Sequence, residues 1–363
     1  MKELNSERVF LVNPCDDFLE RRGDRPPLGL LYLSSYVKQF GYEPKVVDLN
    51  HYNHHHLYGY VVIYHPKYVC FSLSTPNYKQ VIEMAQEIRK LNKDIVLIAG
   101  GTHATDFPDE KLTLETFDHI IVGDGEKALL EILDCVVHVP KIIKRLSVAL
   151  DNLPLPDYEA VNMSDYTMTV DGEKGMMIAT QRGCPFSCAF CGSANKPFTK
   201  SESIEHTLAH MRVLYGKYKI RGFYFVDDTF TYNMKKTIEL CKLIKQEFPD
   251  IVFRCTTRAN CLTDDVCAAL KGAGCTIVSI GLESADHEVL IQINKLESVG
   301  QQRRGVELCH KHGLKVKGFF IFGLPGATYE GELKTIEMAK ELSVDYADAY
   351  IFTPYPGTPI WDD

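Results

Sequence analysis

Along nearly the whole chain, short apolar runs alternate with amphipathic stretches, and that alternation restricts the fold more than any other feature. Arg8–Asn13 (RVFLVN) reads as a buried strand and 29–40 (GLLYLSSYVKQF) as an amphipathic helix closed by Gly41. Further strands are predicted at 43–48, 68–72, 95–99 and 119–122, with a helix at 77–91. A second series has strands at 176–180, 222–226, 252–256, 276–281, 315–322 and 348–352, with helices between them such as 234–248 and 328–343. Strands alternating with helices pair in parallel, because each crossover returns the chain to the same end of the sheet. The phrase DNLPLPDYEA at 151–160 is Pro-rich and polar and reads as an extended spacer between the two series. The predicted organisation is a flavodoxin-like, doubly wound parallel sheet over 1–135, a linker over 136–175, and a TIM-like partial (β/α)6 barrel over 176–363. In both α/β units a ligand site is expected at the carboxyl ends of the strands.

Composition narrows the function classes. With 363 residues, 45% hydrophobic and 24% charged, two ordinary domains can each bury a core. The net charge of -8 supplies no basic face, so nucleic acid is not an expected partner. No apolar run approaches the roughly 20 residues of a membrane span. The start MKELNSERVF lacks the apolar core of a secretion signal. Twelve cysteines then imply free thiols in a reducing compartment, so a cytoplasmic location is expected.

Three of those cysteines stand apart. Cys184, Cys188 and Cys191 lie in TQRGCPFSCAFCGS with C-x3-C-x2-C spacing. Thiolates this close on one loop call for a metal. A four-iron cluster normally takes four cysteine thiolates, so three leave one iron open for an outside ligand. The alternatives are a zinc knuckle or three unrelated core cysteines. A structural zinc site wants four protein ligands, and no further Cys or His follows within the next dozen residues.

This loop, with Phe190 before its last cysteine, resembles the signature of the radical S-adenosylmethionine (SAM) superfamily. The resemblance implies a [4Fe-4S] cluster on the three cysteines, SAM chelating the open iron, and reductive cleavage of SAM to a 5′-deoxyadenosyl radical. Later strand ends carry matching elements. Asp227 and Asp228 end the second strand of the barrel, as a substrate or polar network or as a helix-capping pair. Arg254 and Arg258 flank the third strand, and the resemblance makes Arg258 the partner of the SAM carboxylate. Gly281, Glu283 and Ser284 in IGLES are implied near the ribose or amino group. Gly323 and Pro325 in GFFIFGLPG are implied along the adenine, and 350–359 (YIFTPYPGTP) at the sixth strand end. The family often has Gly-Glu-Thr after that proline, whereas here Gly326 is followed by Ala327 and Thr328, so the glutamate's contact is missing.

The loops of the first unit resemble the cobalamin-binding domain fused to many members of this superfamily. The set comprises Pro27 and Gly29 in PPLG, Ser74 in SLSTPNY, Gly100, Gly101 and His103 in GGTHA, and Gly123, Gly125 and Glu126 in VGDGE. Glycines let backbone approach a large flat ligand, and helix starts supply donors for its amides and phosphate. A plain flavodoxin-like domain is the alternative. Neither His51 nor His103 fits D-x-H-x-x-G, since Leu49 and Gly101 stand where the aspartate belongs, so cobalamin without an axial histidine from this motif is expected. The run HYNHHH from His51 reads as a solvated loop. The resemblance implies a cobalamin-dependent radical SAM enzyme that methylates unactivated carbon or carries out a related radical transformation. A small-molecule or peptide substrate and a reducing partner such as flavodoxin or ferredoxin are implied. It stops at Asp363, where relatives continue over the barrel, so a minimal or shortened barrel without a C-terminal extension is expected. Two other readings remain: a tRNA methylthiotransferase with a second cluster on Cys15, Cys70 and Cys135, and a non-catalytic cluster-binding member.

Overall fold

The chain opens into a six-stranded parallel sheet. Its elements are β1 (Arg8–Asn13), α1 (Leu28–Lys38), β2 (Glu43–Asp48), α2 (His54–Tyr64), β3 (Tyr68–Ser72), α3 (Tyr78–Leu91), β4 (Val96–Gly100), α4 (Thr102–Asp106), α5 (Lys111–Thr116), β5 (His119–Val122), α6 (Glu126–Leu133) and β6 (Ile142–Lys144). The computed structural model describes residues 8–15, 22–134, 139–144, 147–192, 199–355 and 357–361. Cys135, Ser193 and 16–21 of the first loop lie outside them. Two units are present, Met1–Thr167 and Met168–Asp363.

In the first unit the strand order is β2-β1-β3-β4-β5-β6. The chain leaves β1 to one side for β2 and returns to the other side for β3, so the order reverses there and a crevice opens at the strand ends. Phe10, Val12, Val69, Phe71 and Leu97 pack with Val81, Met84, Ala85 and Ile88 of α3 into the core. Three features differ from expectation. β6 adds a sixth strand within the segment read as linker. In the histidine run His54, His55 and His56 are exposed but open a helix rather than a loop, while the His51 ring packs on Tyr166 with its Nε2 buried: Asn53 caps α2 by accepting from the His56 N–H, and Leu57 and Val61 bury one seam. The Pro-rich stretch is docked rather than a bare spacer, with Asp157 accepting from Ser34 Oγ at 2.6 Å and pairing with Lys38 Nζ at 2.5 Å.

The second unit begins with the hairpin β7 (Thr169–Val170) and β8 (Glu173–Ile178), then β9 (Gln181–Arg182), β10 (Lys200–Ser201) and α7 (Ile204–Lys217). Next come β11 (Gly222–Phe225), α8 (Met234–Glu247), β12 (Val252–Thr257), α9 (Asp264–Gly272), β13 (Cys275–Glu283), α10 (His287–Gln292), α11 (Val299–Lys311), β14 (Lys315–Phe322), α12 (Tyr329–Glu341) and β15 (Tyr346–Ile351). The sheet runs β15-β14-β13-β12-β11-β8-β7, its six parallel strands in chain order forming the open half-barrel that the sequence predicts. Cys241, Cys255, Cys267, Cys275 and Cys309 fill its core and are at most 1% exposed, serving as small apolar packing groups. Among the described residues no helix is long and apolar enough to cross a membrane.

Candidate active site and cofactor cradle

The cysteine loop leaves β8 at the carboxyl mouth of the half-barrel. Asp227, 2% exposed, fixes its root: Oδ1 accepts from the Thr180 and Gln181 N–H groups at 2.7 and 2.9 Å, and Oδ2 from Thr180 Oγ1 at 2.9 Å. Burial outweighs these hydrogen bonds and pushes the carboxyl up to about 6. Of the paired aspartates, then, Asp227 is built into a polar network, while Asp228 beside it is exposed. Gly183, at φ 84, turns the chain into Cys184, whose Sγ lies 3.5 Å from Thr229 Oγ1. A tight turn closes with the Cys191 N–H donating to Cys188 O at 3.0 Å. Phe190 packs against Val289, Leu290, Ile293 and Leu324.

Charge is concentrated behind this loop. Arg258 is 5% exposed; its Nη1 donates to Cys188 Sγ at 3.1 Å, its Nη2 donates to Lys295 O, and its guanidinium sits 4.0 Å from the Phe186 ring centre. This side chain, expected to face the SAM carboxylate, is thus engaged by the cysteine loop itself. Arg254 pairs instead with Asp171 in the β7–β8 turn. At the end of β13 the register shifts between Gly281 and Glu283, and Glu283 takes φ 61, a conformation that costs an L-residue about 1 kcal/mol or more. The shift aims its carboxylate at Lys295, with Nζ to Oε1 at 3.0 Å and both side chains under 10% exposed. A Cβ on Gly281 would meet Glu283 Oε1 at 2.4 Å, which is why glycine precedes the pair. Glu297, 5% exposed, accepts from the Asn260 N–H at 2.6 Å, and burial raises its carboxyl above the usual range. Ser284 Oγ accepts from the Asp286 N–H at 3.0 Å, and Gly323, at φ 79, faces open space beside Pro325. Ala327 stands where the glutamate is usual, and Thr328 after it caps α12.

Among the described residues no three His, Cys, Asp or Glu side chains converge on a single-ion site. A four-iron cluster holds its cysteine sulfurs farther apart than one ion does, and three soft sulfur donors on one loop, one against a buried cation, suit such a cluster. The donor set therefore fits the cluster.

In the first unit the mouth lies at the ends of β1, β3, β4 and β5. Ser74 Oγ, just past β3, is a buried hydroxyl with no hydrogen-bond partner among the described residues. Gly29, in the first turn of α1 after Pro27, has nothing within 4 Å of where a Cβ would stand, and Gly100 only Ile121 at 3.9 Å. Gly101, at φ 103, makes the tight turn, its Cβ position 2.7 Å from Leu73 O. Gly125 packs on Leu33 instead of facing open space, Gly123 donates its N–H to Thr105 Oγ1 at 3.0 Å, and Glu126 is buried at the start of α6. An orphan hydroxyl beside open glycines fits a cradle for a large planar cofactor. His103 is otherwise occupied: Nδ1 lies 3.1 Å from Thr75 Oγ1 and Nε2 3.2 Å from Glu110 Oε2. Both ring nitrogens hold the loop together. Cys70 is buried inside β3, its thiol pushed well up by burial.

Sequence reasoning missed Lys295, Glu297 and Asn294, which follow α10. The one signal was an Asn after a short helix, a residue that tolerates the left-handed conformation.

Comparison with known proteins places these features in a family. Residues 178–339 match the Radical SAM superfamily and residues 16–133 the B12 binding domain. An uncharacterized methyltransferase of Pyrococcus horikoshii is 31% identical over 98% of this chain and 82% of its own length. The bacteriochlorophyllide d C-8(2)-methyltransferase of Chlorobaculum tepidum is 30% identical over 77% of this chain, which spans 64% of that protein. Among solved structures, the radical SAM methyltransferase TsrM of Kitasatospora setae, with cobalamin and [4Fe-4S] cluster bound, superposes with a TM-score of 0.80 at 19% identity, over 98% of this chain and 74% of its own. The cobalamin-dependent SAM radical enzyme OxsB, with aqua-cobalamin bound, gives 0.79 at 17%, over 99% and 55%. At those identities the structural likeness is one of fold. The chain belongs to the radical SAM superfamily, among the members that carry a B12-binding domain ahead of the radical domain.

Proposed function

We propose that the chain is a cobalamin-dependent radical SAM methyltransferase acting on an unactivated carbon of a small molecule. One observation carries this reading: a three-thiol loop at a half-barrel mouth shares a chain with a parallel sheet whose mouth keeps an orphan hydroxyl beside open glycines. Cys184, Cys188 and Cys191 would hold the cluster, Glu283 and Gly323 would line the SAM site, and Pro27, Gly29, Ser74, Gly100 and Gly123 would cradle cobalamin. When bound, these groups supply the electron, the radical precursor and the methyl carrier.

The protein's own part is to orient and to exclude water. Asp227 fixes the root of the cysteine loop, Phe190 and its apolar neighbours keep one wall dry, and the Glu283–Lys295 pair holds a carboxylate ready in a buried site. With both ring nitrogens engaged by Thr75 and Glu110, His103 would serve the cradle by holding its loop in shape. The Chlorobaculum tepidum relative, a bacteriochlorophyllide methyltransferase, supports a small-molecule acceptor. A one-electron donor such as flavodoxin or ferredoxin completes the system, and the described cysteines, none of them in a disulfide, suit a cytoplasmic setting. The methylthiotransferase reading loses support from the burial of Cys70 in β3.

Anaerobic reconstitution with iron, sulfide and hydroxocobalamin, then gel filtration and metal counting, tests the proposal. About four irons and equimolar cobalt per chain are expected, with SAM turnover on adding reductant. Iron without cobalt would remove the cobalamin part, and no iron would remove the whole reading.

A further inference from the structure

The five residues from Ile293 to Glu297, between α10 and α11, carry two left-handed residues, Asn294 and Leu296, both at φ 51. For Leu296 that conformation is costly, and the side chain gains no burial in return, being 69% exposed. The strain is retained because of what the rest of the segment touches. The Ala189 N–H donates to Ile293 O at 2.8 Å, and Asn294 Nδ2 donates to Ser187 O and Oγ at 2.8 and 2.9 Å. Lys295 O accepts from Arg258 Nη2, whose Nη1 donates to Cys188 Sγ at 3.1 Å. Glu297 ties down the Asn260 N–H two residues beyond Arg258. The hydrogen bonds from this segment to the cysteine loop thus fall on Ser187, Cys188 and Ala189, directly or through Arg258, and Ile293 adds an apolar contact to Phe190.

We propose that 293–297 is the template on which the cluster-binding loop takes its shape, with Asn294 and Arg258 as positioning residues. Arg258 has a second effect. A guanidinium donating to a ligand sulfur withdraws electron density and favours the more negative, reduced cluster, so it sets the reduction potential as well as the geometry. The inference rests on the cluster assignment above and adds which residues tune it.

The test uses the reconstituted full chain as wild type, Arg258→Met and Asn294→Gly. Methionine keeps much of the buried volume without donors; glycine keeps the left-handed backbone and removes only the amide. Arg258→Lys, which keeps the charge, covers the case in which methionine is not tolerated. Iron per chain, the rate of iron loss to a chelator, and the midpoint potential from EPR-monitored titration are read for each. Asn294→Gly is expected to load iron and lose it several-fold faster at an unchanged potential. Arg258→Met is expected to shift the reduction equilibrium about tenfold toward the oxidised cluster, about 59 mV more negative for one electron, with Arg258→Lys in between. Wild-type loss rates and potentials in all variants would overturn the inference while leaving the cluster assignment intact. Failure of the wild type to take up iron would overturn both.

Discussion

At the mouth of the half-barrel, Arg258, Glu283, Lys295 and Glu297 are each no more than 6% exposed, and charge is answered there by charge. At the mouth of the N-terminal sheet the buried carboxylate Asp48 is held by neutral donors, Asn13 Nδ2 at 3.0 Å, Asn50 Nδ2 at 3.1 Å and Tyr166 OH at 3.0 Å, and the open surface is set by backbone. The difference follows from the ligand each mouth suits. A small, charged, reactive group needs fixed countercharges in a dry site, whose mutual attraction offsets their desolvation only when geometry is tight. A large neutral ring needs space and scattered donors.

Substitutions can break or sharpen that contrast. The largest effect is expected from Cys188→Ala, which should abolish iron loading and SAM cleavage while leaving cobalt uptake at wild-type stoichiometry; iron and cobalt counts on one sample check both halves. Next, Glu283→Gln strands the Lys295 ammonium in a buried site and should destabilise the second unit by about 3–5 kcal/mol. Chemical denaturation would read this, and Glu283→Gln with Lys295→Met should recover much of the loss. Third is the pH response of Asp227, raised from 3.8 to about 6. Its folded form holds the proton more tightly than the unfolded chain, so its ionisation opposes folding. The stability that its protonated form contributes is full below pH 4 and is lost as pH rises through about 6, a swing of about 3 kcal/mol. Asp227→Asn should lack this component, and the difference between the two stability curves across pH 4 to 6 isolates it from other carboxyls. A flat difference would mean that the hydrogen bonds outweigh burial. Fourth, Gly101→Ala forces a Cβ into Leu73 O at positive φ and should cost about 2 kcal/mol in the first unit. Gly29→Ala, in open space, should leave stability within about 0.5 kcal/mol and weaken cobalamin binding alone, measured by equilibrium dialysis.

The legible parts of the sequence were those fixed by local pattern. Tyr68–Ser72 announces itself because both faces are buried and the apolar run is nearly continuous, and Lys315–Phe322 because Val316, Gly318 and Phe320 are buried in alternation with more exposed neighbours. The three loop cysteines were legible because metal ligation imposes spacing. What could not be read depends on long-range pairing. Nothing near Tyr166 in the chain tells of its bond to Asp48, and nothing near Arg258 tells of Cys188, 70 residues away. The helix from His54 was hidden by the polarity of its first turn, although the Leu57 and Val61 spacing was present. The sixth strand, Ile142–Lys144, has only three residues, too few for a periodicity.

The five core thiols carry one more consequence, for handling and for assembly. Iron and sulfide bind whatever thiolates they can reach, and in the native fold these five, at most 1% exposed, are out of reach, so burial sorts them out of the competition without any recognition step. Unfolding erases that sorting. Refolded in the presence of iron, the chain would meet its metal before its core had closed, and cysteines meant only as packing would compete for it. Folding must therefore come first and metal second, and the order of assembly is written into where the sulfur is buried.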